Sequence, residues 1–301
     1  MTRRPQIALL PDGKRLHLQD GPIDLIVEAT GSETAVRAAY DAAVCRFTGL
    51  LDGLCMELGE LRKAAHPMHC ALEGVIARRM HAAVAPFAAD RFITPMAAVA
   101  GSVAEEILGA MLEAASLDRA YVNNGGDIAL HLAGNEQFTV GLIDRPDHRG
   151  LLQTMVIHAD DPVRGIATSG RHGRSFSFGI ADAVSVLART ASEADAAATV
   201  IANAVDLPGN PKIVRRPANE LQPDSDLGPR LVTREVGTLS AREITDALEA
   251  GAVCARECLA AGLIESAALR LFGETVIVRA RALSVPESQL VHECAIENAR
   301  T

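Results

Sequence analysis

Asp195 and Thr199 stand four residues apart in the run A-D-A-A-A-T. On a helix that spacing puts a carboxylate and a hydroxyl on one face. Two hard oxygen donors suit Mg²⁺ when substrate phosphates supply its other positions. The same residues also have a structural reading. Ser192-x-x-Asp195 fits a capping box, and a mid-helix Thr can bond back to its own helix. A second stretch, Tyr121 to Ile128, reads Y-V-N-N-G-G-D-I. Asn124-Gly125 predicts a two-residue hairpin turn. The Gly125-Gly126 pair, with Asp127 beside it, would also let backbone approach a ligand closely.

The run T-P-M-A-A-V-A-G-S predicts a helix start, with Thr94 as N-cap and Pro95 in the first turn. Small side chains at Ala97, Ala98, Ala100 and Gly101 would leave bare N–H groups and a positive dipole end for a phosphate. Close helix–sheet packing calls for the same small residues. Ala167-Thr168-Ser169-Gly170 predicts a small polar turn after a short strand. His66, His69 and Cys70, in H-P-M-H-C, are soft-metal ligand types, but no second ligand pair follows and Pro67 predicts the opening of a helix. Cys254 and Cys258 lie one helical turn apart, the pattern of a packed helix face.

The elements that must position these groups alternate in type. Residues 6 to 30 read as strands broken at Pro11-Asp12-Gly13 and Asp20-Gly21-Pro22. Ser32 predicts the N-cap of a helix, a further helical piece reaches Lys63, and another runs over 68–87. Gln137 to Ile143, Leu151 to Ala159 and Ala183 to Arg189 predict strands, and Ser192 to Val205 a helix. Five prolines over 208–229 predict a long irregular loop. Ser240-x-x-Glu243 predicts the cap of a last helix to about Leu263, and two strands follow across Phe272-Gly273. Hairpin-like strand pairs with inserted helices give an α+β class, helices on a mainly antiparallel sheet. One domain over 1–282, with two lobes open, and a tail over 283–301 are expected.

Composition narrows the function. Of 301 residues, 49% are hydrophobic and only 3% aromatic, so the core is aliphatic and base stacking is not the chain's business. The net charge of −9 and the lack of a basic stripe exclude nucleic acid as the expected partner. The sequence reading finds no run of about 18 apolar residues. With no signal peptide read and the six cysteines scattered, a cytoplasmic protein with free thiols and no membrane partner is expected.

Taken in order, T-P-M-A-A-V-A-G, V-N-N-G-G-D-I, A-T-S-G and A-D-A-A-A-T resemble the motifs of the ApbE-like superfamily, whose catalytic members are FAD:protein FMN transferases. The run from about Arg91 to Val205 is similar to uncharacterised protein family 0280, a branch of that superfamily. The resemblance implies a tunnelling-fold-type α+β core and a cleft for FAD or FMN with Mg²⁺. It implies that Asp195 and Thr199 hold the metal and that Ala100 adds its carbonyl. It also implies that Gly125, Gly126, Asp127, Thr168, Ser169 and Gly170 line the nucleotide, with Ala97 and Ala98 at the helix start. A nucleotide or other phosphate-bearing ligand is the implied partner. An acceptor protein is implied if transfer occurs, and a homo-oligomer is left open. Two departures stand out. Gly101 replaces the transferases' Lys, and their H-x-x-D-P-x-T-G segment is missing. Arg171, His172 and Arg174 are the candidates to supply the lost charge. A catalytically degenerate binding or assembly protein is the alternative to a transferase.

Overall fold

The computed structural model describes residues 5–145 and 148–279, with the side chains of 142–154 outside the description. The expected tail therefore lies outside the described residues, as does Pro146 in the turn placed before Leu151. Strands β1 (Gln6–Leu9), β2 (Leu16–Asp20) and β3 (Ile23–Thr30) lead into helices α1 (Glu33–Phe47), α2 (Leu50–Met56), α3 (Leu58–Leu61), α4 (Val75–Val84) and α5 (Val99–Ala114). Next come β4 (Arg119–Asn124), β5 (Asp127–Leu132), β6 (Gln137–Arg145), β7 (His148–His158), β8 (Gly165–Ser169) and β9 (Ala183–Ala188). Then follow α6 (Ala191–Ala204), β10 (Ile213–Pro217), α7 (Ala218–Leu221), β11 (Leu231–Val236), α8 (Ala241–Ala260), β12 (Ser266–Leu271) and β13 (Glu274–Arg279).

The architecture is α+β. Nine strands form one sheet in the order β1-β2-β3-β4-β5-β8-β9-β12-β13, and every recorded pairing in it is antiparallel. Strand alternation sends Leu16, Leu18, Leu25, Val27 and Val122 to one face, where α1, α4 and α5 bury them. Farther along the sheet, Ala167, Val184, Val186 and Leu269 pack under α6 and α8. The opposite face carries Leu130, Leu132, Ile166 and Leu187, covered by the β6–β7 hairpin. The Ser32 hydroxyl accepts from Ala35 N, and Ser240 forms a full capping box with Glu243, as the sequence indicates.

Several expectations are corrected. The segment from His66 to Gly74 is not helical, and α4 begins only at Val75. Pro67 sits in a tight turn that brings His66 opposite His69, rather than opening a helix. The proline-rich 208–229 stretch is not a plain loop. It contains β10 and α7 and pairs onward with β11, because Pro217 falls at a strand end, where a missing N–H is tolerated. Thr168 and Ser169 belong to β8 itself rather than to a turn after it. Thr94 precedes a 3₁₀ turn, Pro95–Ala98, and its hydroxyl donates to Asp226 at 2.5 Å instead of capping. Pro95–Ala114 is long and apolar enough to cross a membrane, contrary to the expectation of no such run. It is also the core helix, with Val103, Ala104, Ile107 and Met111 fully buried. Cys254 and Cys258 are buried side by side on α8.

Candidate functional site

The β4–β5 turn is built from Gly125 and Gly126, at φ +68° and +117°, between the paired residues Asn124 and Asp127. Both central residues need positive φ, so the turn is a Gly-Gly turn rather than the expected Asn-Gly one. Asn123 Oδ1 accepts from Gly126 N at 2.9 Å. Asn124 is buried, and its Nδ2 donates to the Ala100 carbonyl at 3.1 Å, tying the turn to the first turn of α5.

There α5 meets α6, start against start. A Cβ on Gly101 would overlap the carbonyl of Ala191, so only glycine lets the two helices approach this closely. Each helix supplies an acceptor for the other's free N–H groups. Gly101 N donates to Asp195 Oδ2 at 3.0 Å, and Ser192 N donates to Glu105 Oε1 at 2.6 Å. Arg79 Nε stands 3.3 Å from Glu105 Oε2 and holds it in place. The cap of α6 proper is Thr190, which accepts from Glu193 N. Ser192 and Asp195 therefore do not form the capping box their spacing allows. Asp195 and Thr199 do share one face of α6, half-buried among fully buried alanines. Among the described residues the Thr199 hydroxyl has no hydrogen bond, whereas Thr245 does bond back to its own helix.

Two carboxylates face this junction. Burial pushes the Asp127 carboxyl up to about 7, only partly offset by the Thr168 N–H that donates to its Oδ1 at 3.2 Å. Burial pushes Asp195 well above the usual carboxylate range, and the charge of Asp127 pushes it further. Backbone hydrogen bonds from Gly101 and Ala100 act against both effects. Two half-buried, mutually repelling carboxylates, the Thr199 hydroxyl on the Asp195 face and the Ala100 carbonyl at the start of α5 are all oxygen donors, a set whose chemistry fits a hard divalent cation. Among the described residues no group of three or more His, Cys, Asp or Glu side chains could hold a metal. Any cation here would thus depend on Thr199, the Ala100 carbonyl and the ligand as well.

The other expected residues separate. Ala98 is fully buried in the core and offers a ligand no side chain, while Ala97 is half-buried beside it. Thr168 stands at the exposed end of β8, its hydroxyl 2.8 Å from Ser185 Oγ, with Ser169 and Gly170 following. Arg171 and His172 both turn to Asp182: Arg171 Nε donates to its Oδ1 at 2.9 Å, and His172 Nε2 lies 3.2 Å from the same oxygen. Arg174 instead lies over the Gly-Gly turn, its guanidinium carbon 3.7 Å from where a Cβ on Gly125 would be. Gly101, read as the place of a missing Lys, has no room for any side chain. Sequence reasoning missed Asn124, Glu105 and Asp182. Glu105 had one usable signal, its position four residues after Gly101 on the same face of α5.

Comparison with known proteins agrees with this architecture. The family described as AbpE bacteria matches residues 7–277. A UPF0280 protein of Methanopyrus kandleri is 41% identical over 135 residues, covering 44% of this chain and 51% of that protein. A UPF0280 protein of Methanothrix thermoacetophila is 41% identical over 114 residues, or 38% and 46% of the two chains. The chain thus spans about half the length of the curated relatives it matches. The apo crystal structure of the Pseudomonas stutzeri flavinyl transferase ApbE superposes with a TM-score of 0.52 at 11% identity, covering 93% of this chain and 96% of that one. At that identity the likeness is one of fold. Matched over nearly all its described length, the chain belongs to the family described as AbpE bacteria.

Proposed function

We propose that this protein binds a phosphate-bearing nucleotide, foremost a flavin nucleotide such as FAD or FMN, together with Mg²⁺. The observation that carries the reading is the pair Asp127 and Asp195, two half-buried carboxylates that face one junction, where burial and mutual repulsion raise both. Like charges partly withdrawn from water are a cost that a divalent cation reduces. Asp195, Thr199 and the Ala100 carbonyl would hold the ion, with Asp127 adding charge. When bound, it would neutralise the ligand's phosphate oxygens. The Gly125-Gly126 turn leaves backbone open beside them, and the Thr168–Gly170 end of β8 offers small polar groups on its other side. The choice of flavin comes from the named activity of the Pseudomonas stutzeri relative.

Transfer of FMN to a hydroxyl of an acceptor protein is the finer activity this reading allows. A specific observation favours a second reading, a binding protein without transfer. Arg171 and His172 are both engaged by Asp182, and Gly101 carries no side chain, so charge management at a reacting phosphate is thin. Calorimetry with FAD in Mg²⁺ and in EDTA tests the shared part. Metal-dependent binding is expected, and equal or absent binding in both buffers refutes it. AMP release from FAD at about 1 per second or faster would rule out the second reading.

A further inference from the structure

We propose that Arg174 is the arm that grips the ligand's phosphate, an inference that rests on reading this junction as a nucleotide site. Three cationic side chains follow β8, and their surroundings differ. The Arg171 guanidinium is held by Asp182 and lies 5.3 Å from the centre of the Phe272 ring, with its side chain only 17% exposed. His172 faces the same carboxylate, whose other oxygen accepts from Phe272 N at 2.6 Å. Asp182 therefore uses both residues to shape the loop, and neither is free to meet a ligand.

Arg174 is exposed and unpaired by any carboxylate among the described residues. Its one hydrogen bond there is long, 3.4 Å from Nη1 to the Pro22 carbonyl. The guanidinium thus spans the β2–β3 turn and the Gly125-Gly126 turn with most of its donors unused. Five N–H groups in a planar fork match two phosphate oxygens at once. The location supplies the need as well. An anionic ligand arriving at this junction meets Asp127 and Asp195, and a protein cation at the turn would add to the metal in offsetting them. The chemical class that fits is a phosphate or pyrophosphate group whose remaining bulk extends away from the Gly-Gly turn.

The test is calorimetry on the wild type, Arg174→Ala, Arg174→Lys and Arg171→Ala, with two probes, each in Mg²⁺: FAD and inorganic pyrophosphate. Arg174→Ala is expected to weaken both by about 10- to 100-fold with an unchanged melting temperature. Arg174→Lys should recover part of the loss, since an ammonium restores charge but not the fork. Arg171→Ala should lower the melting temperature instead. FAD binding equal in the wild type and Arg174→Ala overturns the arm and leaves the flavin reading standing. Pyrophosphate binding lost in Arg174→Ala, with FAD bound by neither protein, supports the arm and overturns the flavin reading. A wild type that binds neither probe overturns both.

Discussion

Asp127→Asn removes one of two charges that repel at the site while keeping an oxygen for the Thr168 N–H. The Asp127 carboxyl is raised from 3.8 to about 7, chiefly by burial. At about 1.4 kcal/mol per tenfold change in ionisation, that rise makes the ionised form cost the fold roughly 4 kcal/mol. The sign follows from proton counting. Between the two values the folded protein holds a proton that the unfolded chain has lost, so metal-free stability falls as pH rises. The contribution is fully present below about pH 4 and is lost as pH rises through about 7. Asn cannot ionise and escapes the loss, but its buried amide brings donors without partners, which takes back about 1–3 kcal/mol. In EDTA at pH 8 the variant should therefore be more stable than the wild type by about 1–3 kcal/mol. That corresponds to a rise of roughly 2–12 °C in melting temperature. At pH 4 the order should reverse, because the amide penalty of about 1–3 kcal/mol remains while the wild type keeps its proton. Mg²⁺ at pH 8 should raise the wild-type melting temperature and move the variant's less. Thermal melts by circular dichroism from pH 4 to 8, with and without Mg²⁺, read all three. Parallel melting curves for the two proteins across that range would show that Asp127 is not strained by its surroundings. An equal response to Mg²⁺ would remove it from the cation's neighbourhood.

Asp195→Asn keeps an acceptor for Gly101 N, so it should hold stability while abolishing the Mg²⁺ response in calorimetry. If Asp195→Asn and Asp195→Ala destabilise alike and both still respond to Mg²⁺, the carboxylate is only an inter-helix cap. Gly101→Ala forces a methyl into the Ala191 carbonyl and should cost about 3 kcal/mol or more in urea unfolding, beyond ordinary helix-interior substitutions. A neutral or stabilised Gly101→Ala would show that α5 and α6 do not meet start to start. Glu105→Ala strips the acceptor from Ser192 N and leaves Arg79 without that partner. It should cost about 1–3 kcal/mol and weaken Mg²⁺-dependent FAD binding without contacting the ligand. Unchanged affinity would limit Glu105 to stability.

Local chemistry was legible in the sequence. Ser32 and Ser240 announced their helices because a cap needs only its own next three residues. The Phe272-Gly273 hairpin and a tight turn after Asn124 are also readable, since positive φ is a local demand, although the turn centres on Gly125-Gly126, one residue later than Asn-Gly spacing indicates. Segments where proline has two meanings were not. Pro67 could open a helix or stiffen a turn, and Pro217 could break a chain or end an edge strand. The site divides in the same way. The Asp195/Thr199 face was visible from spacing, but the partner of Asp195 was not, because Gly101 lies 94 residues away. Gly101 marks the crossing of α5 and α6, a demand set by a residue far along the chain and not by its neighbours. Arg171, His172 and Arg174 look equivalent in sequence, and only Asp182 and the Gly125 turn tell them apart.

The mutual capping of α5 and α6 also sets an order of events during synthesis. At about 5–20 residues per second, the 94 residues between Gly101 and Asp195 take roughly 5–20 s to emerge from the ribosome. Through that interval the first-made core can assemble around α1, α4 and α5, yet the start of α5 lacks its acceptor. The nascent domain therefore carries an open seam until α6 is made. A chain stopped within the β6–β7 hairpin would keep one layer of a fold and none of its closing contact.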